Sequence, residues 1–195
     1  MGKGLLCVLS SPSGGGKTSV IQEVLRRKPE YDYSISATTR PRRGHEIDGK
    51  DYFFLSEKEF KEKIKKGDFI EWAEVHGYLY GTPRESLETK LADGKIILLD
   101  IDVEGGMSIK KLYPDRSLLI FLKPPSVETL IDRLKHRSTE TEVQIKKRLE
   151  RIPKEMAYAD FYDVVIINDD FDRTVTEVIE TIEMNRNQLE VKRNG

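Results

Sequence analysis

The chain has 195 residues, with Lys and Arg numbering 33 against 34 Asp and Glu and a formal net charge of −1. That length suits one domain with a full core, and the charge balance excludes a surface built to coat nucleic acid or an anionic membrane, so anion binding must be local. A lone cysteine leaves no disulfide to form, and with no secretory leader pattern and no apolar run long enough to span a bilayer the expected location is the cytoplasm.

Residues 5–9 (LLCVL) are apolar without alternation, which predicts a buried parallel strand with Cys7 as an inert internal thiol. After it comes SSPSGGGKTS, and from Lys17 onward Val20, Ile21, Val24 and Leu25 recur at helical spacing. Strand, glycine-rich loop and helix N-terminus together predict a phosphate-binding loop. Gly14, Gly15 and Gly16 let the backbone approach phosphate oxygens, the helix start presents N–H groups, Lys17 reaches the β- and γ-phosphates, and the Thr18 hydroxyl ligates Mg²⁺. The G-x-x-x-x-G-K-[ST] pattern is kept except at its first glycine, where Ser11 stands. An ordinary glycine-rich turn is the plainer alternative, and the intact Gly-Lys-Thr between strand and helix argues against it.

Residues 31–38 alternate weakly and run into a loop at 39–44 that holds Arg40, Arg42 and Arg43. Arg forks onto phosphate oxygens better than any other side chain, so this loop is a second candidate anion site. Residues 51–55 predict a strand, 57–66 an amphipathic helix with Phe60 and Ile64 inward, 69–75 a strand, and 84–91 a helix after the turn at 76–83. These short, half-polar strands predict a subdomain inserted between core elements. Residues 95–102 (KIILLDID) return to a buried strand carrying Asp100 at its carboxyl end, where ligands sit in α/β sheets and where an acid holds magnesium directly or through water.

Gly105 and Gly106 open a predicted helix reaching Tyr113, followed by a buried strand at 117–122. Ser126 caps a helix to about 137, a break covers 138–142, and a further helix carries Arg148. Arg133 and Arg137, four apart, share one helix face. A strand at 163–167 and a helix at 171–189 close the chain, the latter with Val175, Val178, Ile179 and Ile182 inward. Alternating strands and helices predict an α/β fold, a P-loop NTPase core with a parallel sheet flanked by helices and two excursions at about 36–94 and 126–156.

One phosphate cradle with two arginine clusters predicts two phosphorylated ligands and a transfer between them. Phosphoryl transfer needs alignment and charge offset more than covalent chemistry. Unit charges about 4 Å apart repel by roughly 4 kcal/mol at an effective dielectric of 20, and Lys17, Arg43, Arg137 and Arg148 are the candidate offsetting residues. No Ser/His/Asp or Cys/His set competes for the chemistry.

The segments SPSGGGKTS, SISATTR, GKDYFF, FIEWAEVHGYLYGT, LLDIDVEGG, PPSVETLIDRLKHRSTETE and VVIINDD, in this order over nearly the whole chain, resemble the guanylate kinase family. The resemblance implies ATP-dependent phosphorylation of GMP with Mg²⁺. It also implies a core (1–35, 95–125, 157–195), a GMP-binding subdomain (36–94) and a lid (126–156). By the same resemblance Ser36, Glu71, Thr82 and Asp102 face guanine, while Arg40, Arg43, Tyr52 and Tyr80 hold the GMP phosphate. Ser13, Gly14, Gly15, Gly16, Lys17, Thr18 and Ser19 surround the ATP phosphates, Arg133 and Asn168 serve ATP, Arg137 and Arg148 serve transfer, and Asp100 serves the metal. The chemistry agrees: guanine offers N1–H and N2–H₂ donors to carboxylates and an O6 acceptor to hydroxyls, and the reversed pattern of adenine leaves buried carboxylates unpaired, a mismatch worth about 10⁴-fold or more.

Against the family's TTR-x-PR-x-GE, the string TTRPRRGHE brings proline and glycine one place early. The spacing of Arg40 and Arg43 survives, and which arginine meets the phosphate stays open. Two other readings compete. One is a scaffold-type module that binds phosphorylated peptides, disfavoured by the intact loop and lid arginines. The other is a kinase for another nucleoside monophosphate, disfavoured by Glu71 with Asp102.

Overall fold

A computed structural model describes residues 4–44, 46–75, 77–135 and 142–194. Strand β1 (Leu5–Ser10) is buried at every position, as its unbroken apolar run requires. The elements that follow are α1 (Lys17–Arg27), β2 (Asp32–Ser34), β3 (Ala37–Thr38), β4 (Phe53–Phe54), α2 (Glu57–Lys66), β5 (Phe69–Val75), β6 (Tyr78–Pro83) and α3 (Arg84–Ala92). The second half holds β7 (Ile96–Asp100), α4 (Val103–Leu112), β8 (Ser117–Lys123), α5 (Val127–Lys135), α6 (Glu142–Ala157), a 3₁₀ turn (Tyr158–Phe161), β9 (Val164–Ile167) and α7 (Phe171–Asn194).

Five strands form a parallel sheet in the order β2-β7-β1-β8-β9. Alternate residues go to opposite faces. On one face Cys7, Leu98 and Ile120 meet Val20 and Val24 of α1 and Val175, Val178 and Ile182 of α7. On the other, Val8, Leu99 and Phe121 meet Leu87 and Leu91 of α3 and Ile109 of α4. Each such aliphatic or aromatic side chain stabilises the fold by about 1.5–3 kcal/mol when fully removed from water. Burial also pushes the Cys7 thiol far up, so it is unreactive. No helix among the described residues is long and apolar enough to cross a membrane.

The stretch read from sequence as one run at 31–38 is divided between two sheets. β2 edges the parallel sheet, and after Ile35 and Ser36 the chain enters a second sheet ordered β4-β3-β6-β5. There the Ser36 carbonyl accepts the Phe53 N–H at 2.9 Å. The strand expected over 51–55 contracts to two residues because only Phe53 and Phe54 find ladder partners on β3. Helix α2 begins and ends where its signals stand. Ser56 and Glu59 form a reciprocal capping box, and Gly67 at φ 74° closes the helix in the left-handed region. Phe60 stacks on Phe69 with centroids 4.4 Å apart, giving this sheet its own small core with Ala37.

Two departures position the site. The β5–β6 register shifts between Phe69 and Glu71, a bulge that sets Glu71 opposite Thr82. Helix α4 begins at Val103, ahead of the two glycines, because the Asp102 carboxylate caps it by accepting the Gly105 N–H at 2.8 Å. Helices α5 and α6 pack through Leu130 and Ile152, with Met156 joining this pair to the central core.

Candidate functional site

The loop after β1 takes its shape from glycines of two kinds. Gly14 (φ 88°) and Gly16 (φ 85°) occupy the left-handed region, which side chains with a Cβ avoid. Gly15 is required by proximity instead. A Cβ there would stand 2.7 Å from the Cβ of Ser11, so the missing side chain at position 15 makes room for the serine that replaces the pattern's first glycine. Gly16 is the N-cap of α1 and supplies no side chain, and the first turn of α1 holds no acid. Its first N–H groups therefore face outward with the positive end of the helix dipole, as an anion site demands.

Across from this turn lies the carboxyl end of β7, which pairs with β1 in parallel register. That register brings Asp100 between two residues of α1. Lys17 Nζ is 2.8 Å from Asp100 Oδ1 and donates to the Ile101 carbonyl at 2.6 Å, while the Thr18 hydroxyl donates to Asp100 Oδ2 at 2.8 Å. A hydroxyl and a carboxylate are hard oxygen donors of the kind Mg²⁺ selects. Among the described residues no group of three or more His, Cys, Asp or Glu side chains clusters as a metal cage. Two protein oxygens with phosphates and water completing the shell is the usual magnesium arrangement at nucleotides, so these residues fit the ion.

One cavity of about 150 Å³ joins this end to the second sheet. Lys17, Asp100 and Asp102 line it from the core, and Ser36, Tyr52, Glu71 and Tyr80 from the smaller sheet. Alternate residues of β5, Glu71, Ala73 and Val75, line it, and Trp72 between them is 50% exposed on the other face. The Glu71 carboxyl is pushed up to about 7, first by burial and then by the nearby Asp102 charge, against the hydrogen bond from Thr82. Gly105 permits this approach, since a Cβ there would lie 2.9 Å from Glu71 Oε2 and 3.2 Å from Asp102 Oδ1. Ser36 and Thr82 are buried at 5% and 0% exposure, which is unusual for hydroxyls without work to do.

The arginine loop is organised by Glu46, an acid to which sequence reasoning assigned no role. Arg40 donates from Nη1 and Nη2 to the two Glu46 oxygens at 3.0 and 2.6 Å, and the Arg43 backbone N–H donates to Glu46 at 2.8 Å. Burial alone would raise the Glu46 carboxyl, yet the Arg40 and Arg43 hydrogen bonds and charges outweigh it and hold the group below its ordinary range. The Arg40 guanidinium also lies 5.4 Å from the Tyr52 ring centroid, and Tyr52 meets Tyr80 edge-on at 6.0 Å. Arg40, Tyr52 and Tyr80 are thus one cluster. Arg43 is exposed; its backbone N–H donates to Glu46 and its charge acts on that carboxylate.

On the opposite side of the phosphate loop, Asn168 donates from Nδ2 to the Gly15 carbonyl at 2.7 Å, and Arg133 of α5 donates to the Asn168 carbonyl at 3.4 Å. Arg148 of α6 donates to the Ser13 hydroxyl at 2.8 Å. Thr18 and Ser19, on the first turn of α1, are exposed. Arg137 lies outside the described residues. Glu155, also unnoticed in the sequence, accepts the Ser13 N–H at 3.0 Å across 142 positions of chain, a separation at which no local pattern could have signalled it.

A larger cavity of about 630 Å³ opens at the amino ends of β8 and β9. In its lining Lys110 and Asp163 neutralise each other at 2.9 Å with Asp115 as a second acid, and it contains none of the candidate residues. The carboxyl-end cavity is the one that the candidate residues line.

The family model described as guanylate kinase matches residues 3–185. A guanylate kinase of Thermotoga maritima is 43% identical over 196 residues, spanning 98% of this chain and 94% of that protein. One from Chlorobium luteolum is 47% identical over 176 residues, spanning 90% and 89%. The crystal structure of guanylate kinase from Anaplasma phagocytophilum shares the fold with a TM-score of 0.78 at 32% identity, covering 94% of this chain and 86% of that one.

Proposed function

The chain belongs to the guanylate kinase family and is a kinase that phosphorylates GMP with ATP, and we propose that it moves the γ-phosphoryl group in a Mg²⁺-dependent step that returns GMP to the guanine nucleotide pool. One cleft carries this proposal: Lys17 and Asp100 line it together with Glu71 and Asp102, so the groups that would read a base and those that would meet its phosphate open on one cavity. The cytoplasm is the location that fits such nucleotides and a free thiol.

In this assignment residues 36–94, with β3 to β6, α2 and α3, form the GMP-binding subdomain, residues 126–156 with α5 and α6 form the lid, and the remaining parallel sheet with its helices is the core. Glu71 and Asp102 accept from the guanine N–H groups while Ser36 and Thr82 supply hydroxyls. Arg40, Tyr52 and Tyr80 hold the GMP phosphate, with Arg43 reaching it as the subdomain closes. Ser13, Gly14, Gly15, Gly16, Lys17, Thr18 and Ser19 surround the ATP phosphates, and Arg133 and Asn168 border the rest of that nucleotide. Mg²⁺ supplies charge neutralisation of the β- and γ-oxygens when bound with ATP, held by Thr18 and Asp100. Lys17, Arg43, Arg137 and Arg148 offset the charge on the phosphoryl group in flight.

A coupled assay of ADP formation tests the proposal. Turnover is expected with GMP and Mg²⁺ together, and little with AMP, CMP or UMP. ADP formation indifferent to GMP, or unaffected by chelating the metal, would overturn it.

A further inference from the structure

Two side chains of α6 hold Ser13 at the start of the phosphate loop. The Glu155 carboxylate accepts its backbone N–H at 3.0 Å, and Arg148 donates to its hydroxyl at 2.8 Å. Positions 148 and 155 are two helical turns apart and share a face. They differ in what anchors them. Arg148 precedes Pro153, whose ring cannot donate to the carbonyl four residues back, and Glu155 follows it. Beyond Glu155 the chain runs directly into Ala159 and Tyr162, which are packed in the central core.

Glu155 is only 9% exposed, and Arg151 stands 3.7 Å from its carboxylate. A carboxylate buried beside a loop built for polyphosphate costs free energy through desolvation and through repulsion of the incoming anion. Touching the nucleotide would add to that repulsion, so its partner must be the loop. Ser13 N–H belongs to a run of backbone donors in which Gly15 N–H is turned back to the Pro12 carbonyl at 2.9 Å, while Gly14 and Gly16 have glycine flexibility and the first turn of α1 has no side-chain cap. Fixing one peptide of such a run fixes the directions of its neighbours.

We propose that Glu155 is a positioning residue for ATP: by holding the Ser13 N–H it sets the curl of the phosphate loop, so that the N–H groups that follow converge on the phosphates. It acts from the core-anchored end of α6, independently of Arg148 beyond the proline. This rests on the phosphate-loop assignment above.

The experiment compares Glu155→Ala and Glu155→Gln in the full chain, with the glutamine retaining a carbonyl oxygen that accepts the same N–H. Glu155→Ala is expected to lower kcat/KM for ATP by about 10- to 100-fold, the range for losing a charged acceptor, while the calorimetric Kd for GMP alone changes by less than about twofold. Amide exchange at Ser13, read by nitrogen-15 NMR, is expected to quicken in the alanine variant. Glu155→Gln is expected to restore both to within about threefold of the parent. Equal losses for ATP and GMP, a glutamine variant as impaired as alanine, or unchanged Ser13 exchange in the alanine variant would each overturn the proposal. The Ser13 exchange needs no turnover, so it decides the contact even if the parent showed no GMP-dependent activity, which would sink the function alone.

Discussion

The Thr82 hydroxyl donates to Oε1 of Glu71 at 2.5 Å, and the two residues are direct cross-strand partners on β6 and β5. The bond orients a carboxyl whose burial has already pushed it up to about 7, so near neutrality the free protein holds Glu71 partly protonated. An acceptor for guanine N–H groups must be ionised. GMP affinity is therefore expected to fall as pH drops through about 7, by up to about tenfold per unit once Glu71 is protonated. The GMP phosphate also titrates near pH 6. The effect of Glu71 is isolated by calorimetry of GMP on wild type and Glu71→Gln, and the slope must be shallower in the variant.

The same group bears on ligand-free stability with the opposite tendency. A carboxyl raised from 4.5 to about 7 binds more protons folded than unfolded between those values. Its contribution is then full below pH 4.5 and lost as pH rises through about 7. Urea midpoints across this window should show a decline in wild type that Glu71→Gln lacks.

Removing the Lys17 ammonium takes away the charge closest to both Asp100 and the first turn of α1. Lys17→Ala is expected to lower kcat by about 100-fold or more, since the interaction strengthens as the phosphoryl group moves, with the calorimetric Kd for GMP little altered. Turnover equal to the parent in the coupled assay would reject the cradle.

Glu46 fixes Arg40 through two hydrogen bonds while both side chains are largely buried, at 11% and 8% exposure. Glu46→Ala leaves that guanidinium without its partner, and breaking a buried pair from one side costs about 3–5 kcal/mol at the extreme. If Arg40 holds the GMP phosphate as proposed, GMP is expected to bind about tenfold more weakly, whereas guanosine, which lacks that phosphate, binds as before. A matched loss for both ligands would place Glu46 with the base instead.

Gly106 faces Tyr162, whose hydroxyl donates to Ser10 at 2.7 Å, and a Cβ at 106 would come within 2.2 Å of that oxygen. Gly→Ala inside a helix ordinarily gains up to about 1 kcal/mol. Here overpacking prevails, and Gly106→Ala is expected to destabilise by about 1–3 kcal/mol in urea unfolding. A gain in stability would show that Tyr162 yields readily to α4.

Local features of the chain are those the sequence made legible. The glycines of the phosphate loop, the Ser56 to Gly67 bounds of α2, the unbroken apolar strands and the ordered guanylate kinase segments each depend on neighbours a few residues away, through dihedral limits, capping and face periodicity. Family and fold follow from these. What lay beyond reach depends on contacts across the fold. Alternation along FIEWAEV puts Glu71 on one face with Ala73 and Val75, but it takes the pairing of Glu71 with Thr82, after the register shift that follows Phe69, to show that this face lines the cleft.

From sequence alone, then, came the phosphate cradle and the acid at the end of β7, because backbone strain and strand burial are encoded residue by residue. Only the tertiary structure decided that Asp100 bridges Lys17 and Thr18, that Glu46 governs Arg40, and that Glu155 grips Ser13. Glu46 and Glu155 look like any surface acid in a chain that is 34% charged. Their roles appear only once folding has removed water from around them and left one partner within reach.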